Sequence, residues 1–230
     1  FSSKIRKVYI FYHVIHCHFV FLENSCIREY GLLVFFCNLK MKKNRAWQRM
    51  LSGRRLNILN PSPVDVEIDD IAHGLSFLAR WNGQTIGDFP FSVAQHSILV
   101  EKLFSNSFPN VEKKWKMACL LHDAAEYVIS DMISPLKNHL GSPYENLDVA
   151  LTRAIHLRFG IPAELPNKIK NDIKMADKNA AWLEARNLAG FSLNETISIF
   201  GKLGNTEIDQ DYIRPKNPLI TRDLFLKKFY

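Results

Sequence analysis

The chain has 230 residues, 47% of them hydrophobic, with ten Gly and ten Pro, which are the proportions of an ordinary globular protein and exclude the disordered and fibrous classes. Its formal charge of +7 is only moderately basic, and the Lys and Arg residues are scattered instead of forming a stripe with aromatics, so neither a nucleic-acid partner nor a membrane surface is expected. Four cysteines, Cys17, Cys26, Cys37 and Cys119, show no CxxC spacing, which argues against a disulfide framework and for a reducing compartment, read here as the cytoplasm.

Residues 1–40 differ from the rest of the chain, holding nine of the 27 aromatics and three of the eight His without a clear helical or strand period. Lys4, Arg6 and Lys7 precede an apolar run over 8–22 in the manner of a signal peptide or short anchor, but His13, His16 and His18 interrupt that run and no small-residue cleavage site is present after it. The expectation is sequence lying upstream of an initiator at Met41-Lys42-Lys43, with a targeting segment or a real extension as alternatives. Residues 41–64, basic and then turn-rich up to Pro61-Ser62-Pro63, are expected to be a surface arm.

From residue 65 to residue 230 the signals are helical. Ile68, Ile71, Ala72, Leu75, Leu78 and Ala79 follow three-four spacing, with Asn82-Gly83 as the stop. A second helix over 91–104 puts Val93, His96, Val100 and Leu103 on one face. The spacing predicts a central helix over 115–129, ended by Ser130-Asp131 and Pro135. Ser142-Pro143-Tyr144-Glu145 has the form of a capping box opening a helix that runs to Phe159-Gly160. A helix over 167–188 places Ile173, Asp177, Ala180 and Ala181 on one face, Ser192-Leu193-Asn194-Glu195 caps a short one ending near Gly201, and 221–230 forms a last helix. No β-branched alternation is long enough for a strand, so the fold class is all-α, a helical bundle.

Three of these helices place polar residues on an inward, apolar face: His96, the pair His122-Asp123, and Asp177. Alone, each reads as a hydrogen-bonded core group, a cap or an ion-pair member. Together they would leave two buried carboxylates needing cations that the sequence does not place nearby, and a metal ion meets that need. Two imidazoles and two carboxylates form a mixed nitrogen and oxygen set suited to one divalent Mn, Co, Fe or Mg ion and unlike the thiolate-rich sites of structural zinc. Glu126, one turn beyond His122, is placed to orient or deprotonate a water.

The ordered set His96, His122-Asp123 and Asp177 resembles the HD-domain metal-dependent phosphohydrolase superfamily over roughly residues 65–192. Arg80-Trp81, Gln95-His96-Ser97, His122-Asp123-Ala124-Ala125-Glu126, and Asp131 followed by Ser134-Pro135-Leu136-Lys137 are similar to its bacterial deoxyribonucleoside 5'-monophosphate nucleotidase branch. The resemblance implies an HD-domain helical bundle, a nucleotide as the small-molecule partner and, as an option, a homodimer. It assigns Arg80 to the phosphate and makes Trp81 and Asp131 bear on the sugar 2' position. Asp131 is a candidate donor to the leaving oxygen, and Lys137 joins Arg80 and Trp81 as a substrate-binding candidate; Trp81 reads equally as core, Arg80 and Asp131 as helix-end residues, and Lys137 as a solvated cation near the site. His139 and His156 do not match the spacing of two-metal members, and His73 carries no motif weight. The function implied is hydrolysis of the phosphomonoester of a (deoxy)nucleoside 5'-monophosphate. Hydrolysis of a cyclic or hyperphosphorylated nucleotide and nucleotide sensing without turnover are the alternatives.

Overall fold

The computed structural model describes residues 45–204 and 208–230, together with the backbone of two short antiparallel strands, β1 (Lys7–Val8) and β2 (Phe19–Val20). The readings made for residues 1–40 and for Met41 therefore lie outside the described side chains. Within 46–230 the fold is all-α, carried by α1 (Ile68–Phe77), α2 (Val93–Ser107), α3 (Lys113–Leu120), α4 (Glu126–Ile129), α5 (Ser134–Leu140), α6 (Ser142–Arg158), α7 (Asn167–Asn187), α8 (Leu193–Phe200) and α9 (Pro218–Phe229). Among the described residues no helix is long and apolar enough to cross a membrane.

The arm expected before residue 65 is instead, where described, a small hairpin of β3 (Trp47–Arg49) and β4 (Arg55–Asn57). Strands of three residues fall below what alternation can reveal. Packing decides the matter: Leu56 and Met50 are buried, and Asp70 of α1 accepts bonds from the Ser52 N–H at 2.8 Å and the Ser52 hydroxyl at 2.6 Å.

Helix α2 is the central element, packed against α1, α3, α7 and α9. Ser92 caps it by accepting from the Gln95 N–H at 3.2 Å, and Val93, Leu99, Val100 and Phe104 are fully buried along its length. Each such side chain contributes roughly 1.5–3 kcal/mol relative to exposure, which is why a helix lined with them takes the middle of the bundle. The Gln95 amide donates to the Arg214 carbonyl at 2.9 Å and accepts from the Lys216 N–H at 3.0 Å, anchoring the connector that leads to α9. Phe225 of α9 is fully buried in consequence.

Two expectations about helix ends need correction. The central helix over 115–129 is broken after α3: Leu121 has ψ 12°, and the next residues form tight turns with the His122 N–H on the Cys119 carbonyl and the Glu126 N–H on the Asp123 carbonyl before α4 begins. Ser142 does not cap α6. Gly141, at φ 62°, both ends α5 and opens α6, so no separate cap position is left for the Ser142 hydroxyl. The second capping box does form, with the Glu195 carboxylate accepting from the Ser192 N–H at 2.8 Å while the Ser192 hydroxyl accepts from the Glu195 N–H.

Gly74 allows α1 to approach α4 closely. A Cβ there would stand 3.0 Å from Cβ of Tyr127, so glycine sets the distance at which α4 is held against α1.

Candidate metal centre

Four residues from three elements meet beside α2. His96 comes from the first turn of α2, His122 and Asp123 from the tight turns between α3 and α4, and Asp177 from the middle of α7. One ligand atom each from His96, His122 and Asp177 lies within 4.8 Å of the others, so this group can hold a metal ion. Asp123 borders the same space, its Oδ2 standing 3.2 Å from Nε2 of His122 and 3.5 Å from Nε2 of His96. The break after α3 is what brings this about, since adjacent residues of a regular helix diverge by about 100°.

Both imidazoles are held in the orientation that a metal ligand requires. Nδ1 of His122 lies 3.0 Å from the Cys119 carbonyl, which also accepts the His122 N–H, and Nδ1 of His96 lies 2.5 Å from Oε1 of Glu184. These partners place the ring proton on Nδ1 and leave the Nε2 lone pairs for another use. Both Nε2 atoms are buried and make no hydrogen bond, although Oδ1 of Asp177 is only 3.1 Å from Nε2 of His96, because the approach lacks hydrogen-bond geometry. Unpartnered buried nitrogens facing carboxylate oxygens form a donor set that a metal ion could complete.

Electrostatics point the same way. Asp123, Asp131, Asp177 and Glu184 surround one guanidinium, that of Arg80, and all four raise its pKa despite burial. Negative charge is in excess. Burial and the Arg80 charge oppose protonation of His96, yet Glu184, Asp123 and Asp177 overcome both and hold its pKa well above the usual imidazole range. Asp123 is held well below the ordinary carboxylate range by His122 and His96 against the effect of burial. A cation held between these groups would take over the compensating role of that imidazolium proton.

Glu184 is the residue that sequence reasoning missed. It is fully buried, and its carboxylate receives Nδ1 of His96, Nε of Arg80 at 2.9 Å and Nε1 of Trp81 at 2.9 Å. Burial raises its pKa, but Arg80 and His96 bring it down to about 2. The available signal was spacing: Glu184 follows Asp177 by two helical turns on α7, on the face of Ala180.

Arg80 and Trp81 belong to a short turn, Arg80–Gly83, in which Trp81 and Asn82 have φ of 55° and 51°. The Arg80 N–H donates to the Phe91 carbonyl at 2.8 Å, fixing this turn at the base of α2. NH1 of Arg80 lies 3.6 Å from Asp131 and 3.8 Å from Asp123 and its side chain is 13% exposed, so Arg80 is a mostly enclosed member of the site and not a solvated helix-end cation. The Trp81 ring packs against Phe191 and Phe200 at 5.6 and 6.3 Å.

Glu126, three residues beyond Asp123, is buried. Its Oε1 accepts from Nζ of Lys137 at 3.0 Å, while Oε2 is buried without a partner. Burial, Asp123 and Asp131 push its pKa up to about 8 against the pull of Lys137. Lys137 is thereby corrected from a solvated residue to the ion-pair partner of Glu126. Asp131 also titrates high, chiefly through burial, although Arg80 opposes the shift.

His139 is exposed. His156 is buried with Nδ1 3.1 Å from the Pro162 carbonyl, and it lines a cleft of about 470 Å³ together with His122, Asp148, Thr152 and Ile173. His73 stacks on Phe77 at 4.6 Å.

Fold and centre together define a helical protein with a partly buried group, His96, His122 and Asp177, that could hold a metal ion. No protein-family model matches the chain. It is 60% identical over 158 residues to uncharacterised protein RCAP_rcc00048 of Rhodobacter capsulatus, a match covering 69% of this chain and 81% of that one, and it belongs to the same family as that protein. Similarity also extends to uncharacterised protein YfdR of Escherichia coli, 31% identical over 122 residues, or 53% of this chain and 63% of the relative.

Proposed function

We propose that this protein is an HD-domain metal-dependent phosphohydrolase that cleaves the phosphomonoester of a (deoxy)nucleoside 5'-monophosphate. The observation that carries the reading is the pair of buried, unpartnered imidazole Nε2 atoms of His96 and His122 converging with Asp177 and Asp123, next to a mostly enclosed arginine and an elevated carboxyl. The resemblance of the ordered motifs to the HD-domain superfamily is what favours phosphate ester hydrolysis among the reactions such a centre can serve.

His96, His122, Asp123 and Asp177 would hold one divalent ion, Mn, Co, Fe or Mg, which supplies Lewis acidity toward phosphate and lowers the pKa of a bound water. Arg80, held through Nε by Glu184 and with NH1 beside Asp131 and Asp123, is the cation that the resemblance assigns to the phosphate. Glu126 accepts a proton through its unpartnered Oε2 while Lys137 holds Oε1. Burial favours the protonated form of Asp131, the form needed to donate to the leaving 5'-oxygen. Trp81, fixed by Glu184, limits the space beside the sugar.

The test is phosphate release over a panel of ribo- and deoxyribonucleoside monophosphates with Mn²⁺, Co²⁺ or Mg²⁺. Release from the deoxyribonucleoside monophosphates supports the proposal. Tight binding without release from any member overturns it in favour of a sensing module, and release confined to cyclic or hyperphosphorylated nucleotides moves the assignment to those substrates.

A further inference from the structure

We infer that Glu184 is the positioning residue of the metal centre: its one carboxylate sets the proton position on His96 and, through its second oxygen, aims Arg80. The inference rests on the reading of His96 as a metal ligand, and it adds a residue that no motif marks.

Oε1 of Glu184 meets Nδ1 of His96, while Oε2 receives both Nε of Arg80 and Nε1 of Trp81. All three partners present N–H groups, so both oxygens must be acceptors. Only a carboxylate satisfies this. An amide at the same place has one oxygen and one NH₂. If the oxygen faces Arg80 and Trp81, the NH₂ faces His96, whose Nδ1 must then accept, and the ring proton moves to Nε2, where it blocks the metal lone pair. If the oxygen faces His96, the NH₂ opposes two donors, and the turn bearing Arg80 loses its anchor. Trp81 is held at φ 55°, a left-handed conformation that a bulky residue adopts only when its surroundings enforce it. The Glu184 bond to its indole is part of that enforcement.

Glu184 also stands apart from the ligands themselves. It is buried to 0% exposure behind His96, on the side of the ring opposite the space bounded by Asp123 and Asp177. Removing such a partner typically lowers metal affinity about 10–100-fold while leaving the ligands in place. Because the same carboxylate holds Arg80, anion binding to the metal-loaded protein should weaken as well.

The experiment compares Mn²⁺ binding by calorimetry to the full chain and to Glu184→Gln, Glu184→Asp and Glu101→Gln. Glu101 is the control: it is buried on the same helix as His96 but pairs with Ser105 and Lys228, away from the centre. Expected are an about 10–100-fold weaker Mn²⁺ affinity for Glu184→Gln, partial recovery in Glu184→Asp, which keeps two acceptors, and an unchanged affinity for Glu101→Gln. In Zn²⁺-loaded protein, imidazole ¹⁵N spectra should place the His96 proton on Nδ1 in the parent and not in Glu184→Gln. Should Glu184→Gln fail to fold, Glu184→Asp carries the test, with a measurable loss of affinity expected. Glu184 variants that bind Mn²⁺ as tightly as the parent overturn this inference and leave the metal centre standing. A parent that binds no divalent cation removes both.

Discussion

Nζ of Lys137 lies 3.0 Å from Oε1 of Glu126, tying α5 to the segment that presents His122 and Asp123. Lys137 lowers the pKa of a carboxyl that burial and two aspartates have pushed up to about 8. Replacing it by Met raises that pKa further. The acid limb of the kcat/KM profile should then move to higher pH, with the rate at pH 7 falling about tenfold per unit moved. A profile that stays in place after Lys137→Met would show that Glu126 is not the group titrating in catalysis.

Loss of a ligand should be distinguishable from loss of the base. Asp123→Ala and Asp177→Ala each take a carboxylate from the space beside the two imidazoles, so both variants should emerge with far less bound metal and no turnover. Helicity should be retained, because both carboxylates are partly exposed and lie outside the apolar core. Metal analysis and circular dichroism check this. A normal metal content in either variant contradicts the assignment of that residue.

Glu126→Ala should behave differently. Its side chain pairs with Lys137 and makes no bond to the proposed ligands, so metal content and nucleotide affinity should persist while turnover falls by about 10²–10⁴. Hydrolysis at the parent rate would reduce Glu126 to a structural partner of Lys137.

His156 provides a stability signature away from the centre. Burial lowers its pKa below the usual 6.5, although bonds to the Pro162 and Ala163 backbone act the other way. The unfolded chain therefore binds a proton at a pH where the folded chain does not, and stability must decline as pH falls through about 6.5 and level off below the folded pKa. Urea midpoints measured between about pH 7.5 and 5 should fall more steeply for the parent than for His156→Gln. Parallel slopes would mean that His156 is protonated equally in both states.

The amino-acid sequence by itself determined the helical class and pointed to His96, His122 and Asp177, the group that could hold an ion, with Asp123 beside them. Apolar residues at three-four spacing define inward faces, and His96 and Asp177 stand out because a polar group on such a face is costly to bury alone. The Ser192 capping box was equally legible, since both of its bonds lie within four residues. Lys137 was misread because its partner is eleven residues away, across a helix boundary.

Tertiary structure alone decided the remainder. The run from Met117 to Tyr127 carries no Gly or Pro, so no local rule ends α3 at Leu120. The break becomes visible only with the Cys119 carbonyl turned onto the His122 ring. Glu184 sits on a helix that also carries Lys168, Lys170, Asp172, Lys174 and Lys178, and one more charge among them is ordinary by pattern. Its partners lie 88 to 104 residues earlier in the chain. Helical periodicity records which face of an element is buried; which donors meet a carboxylate there depends on how distant helices pack, and no local pattern encodes that.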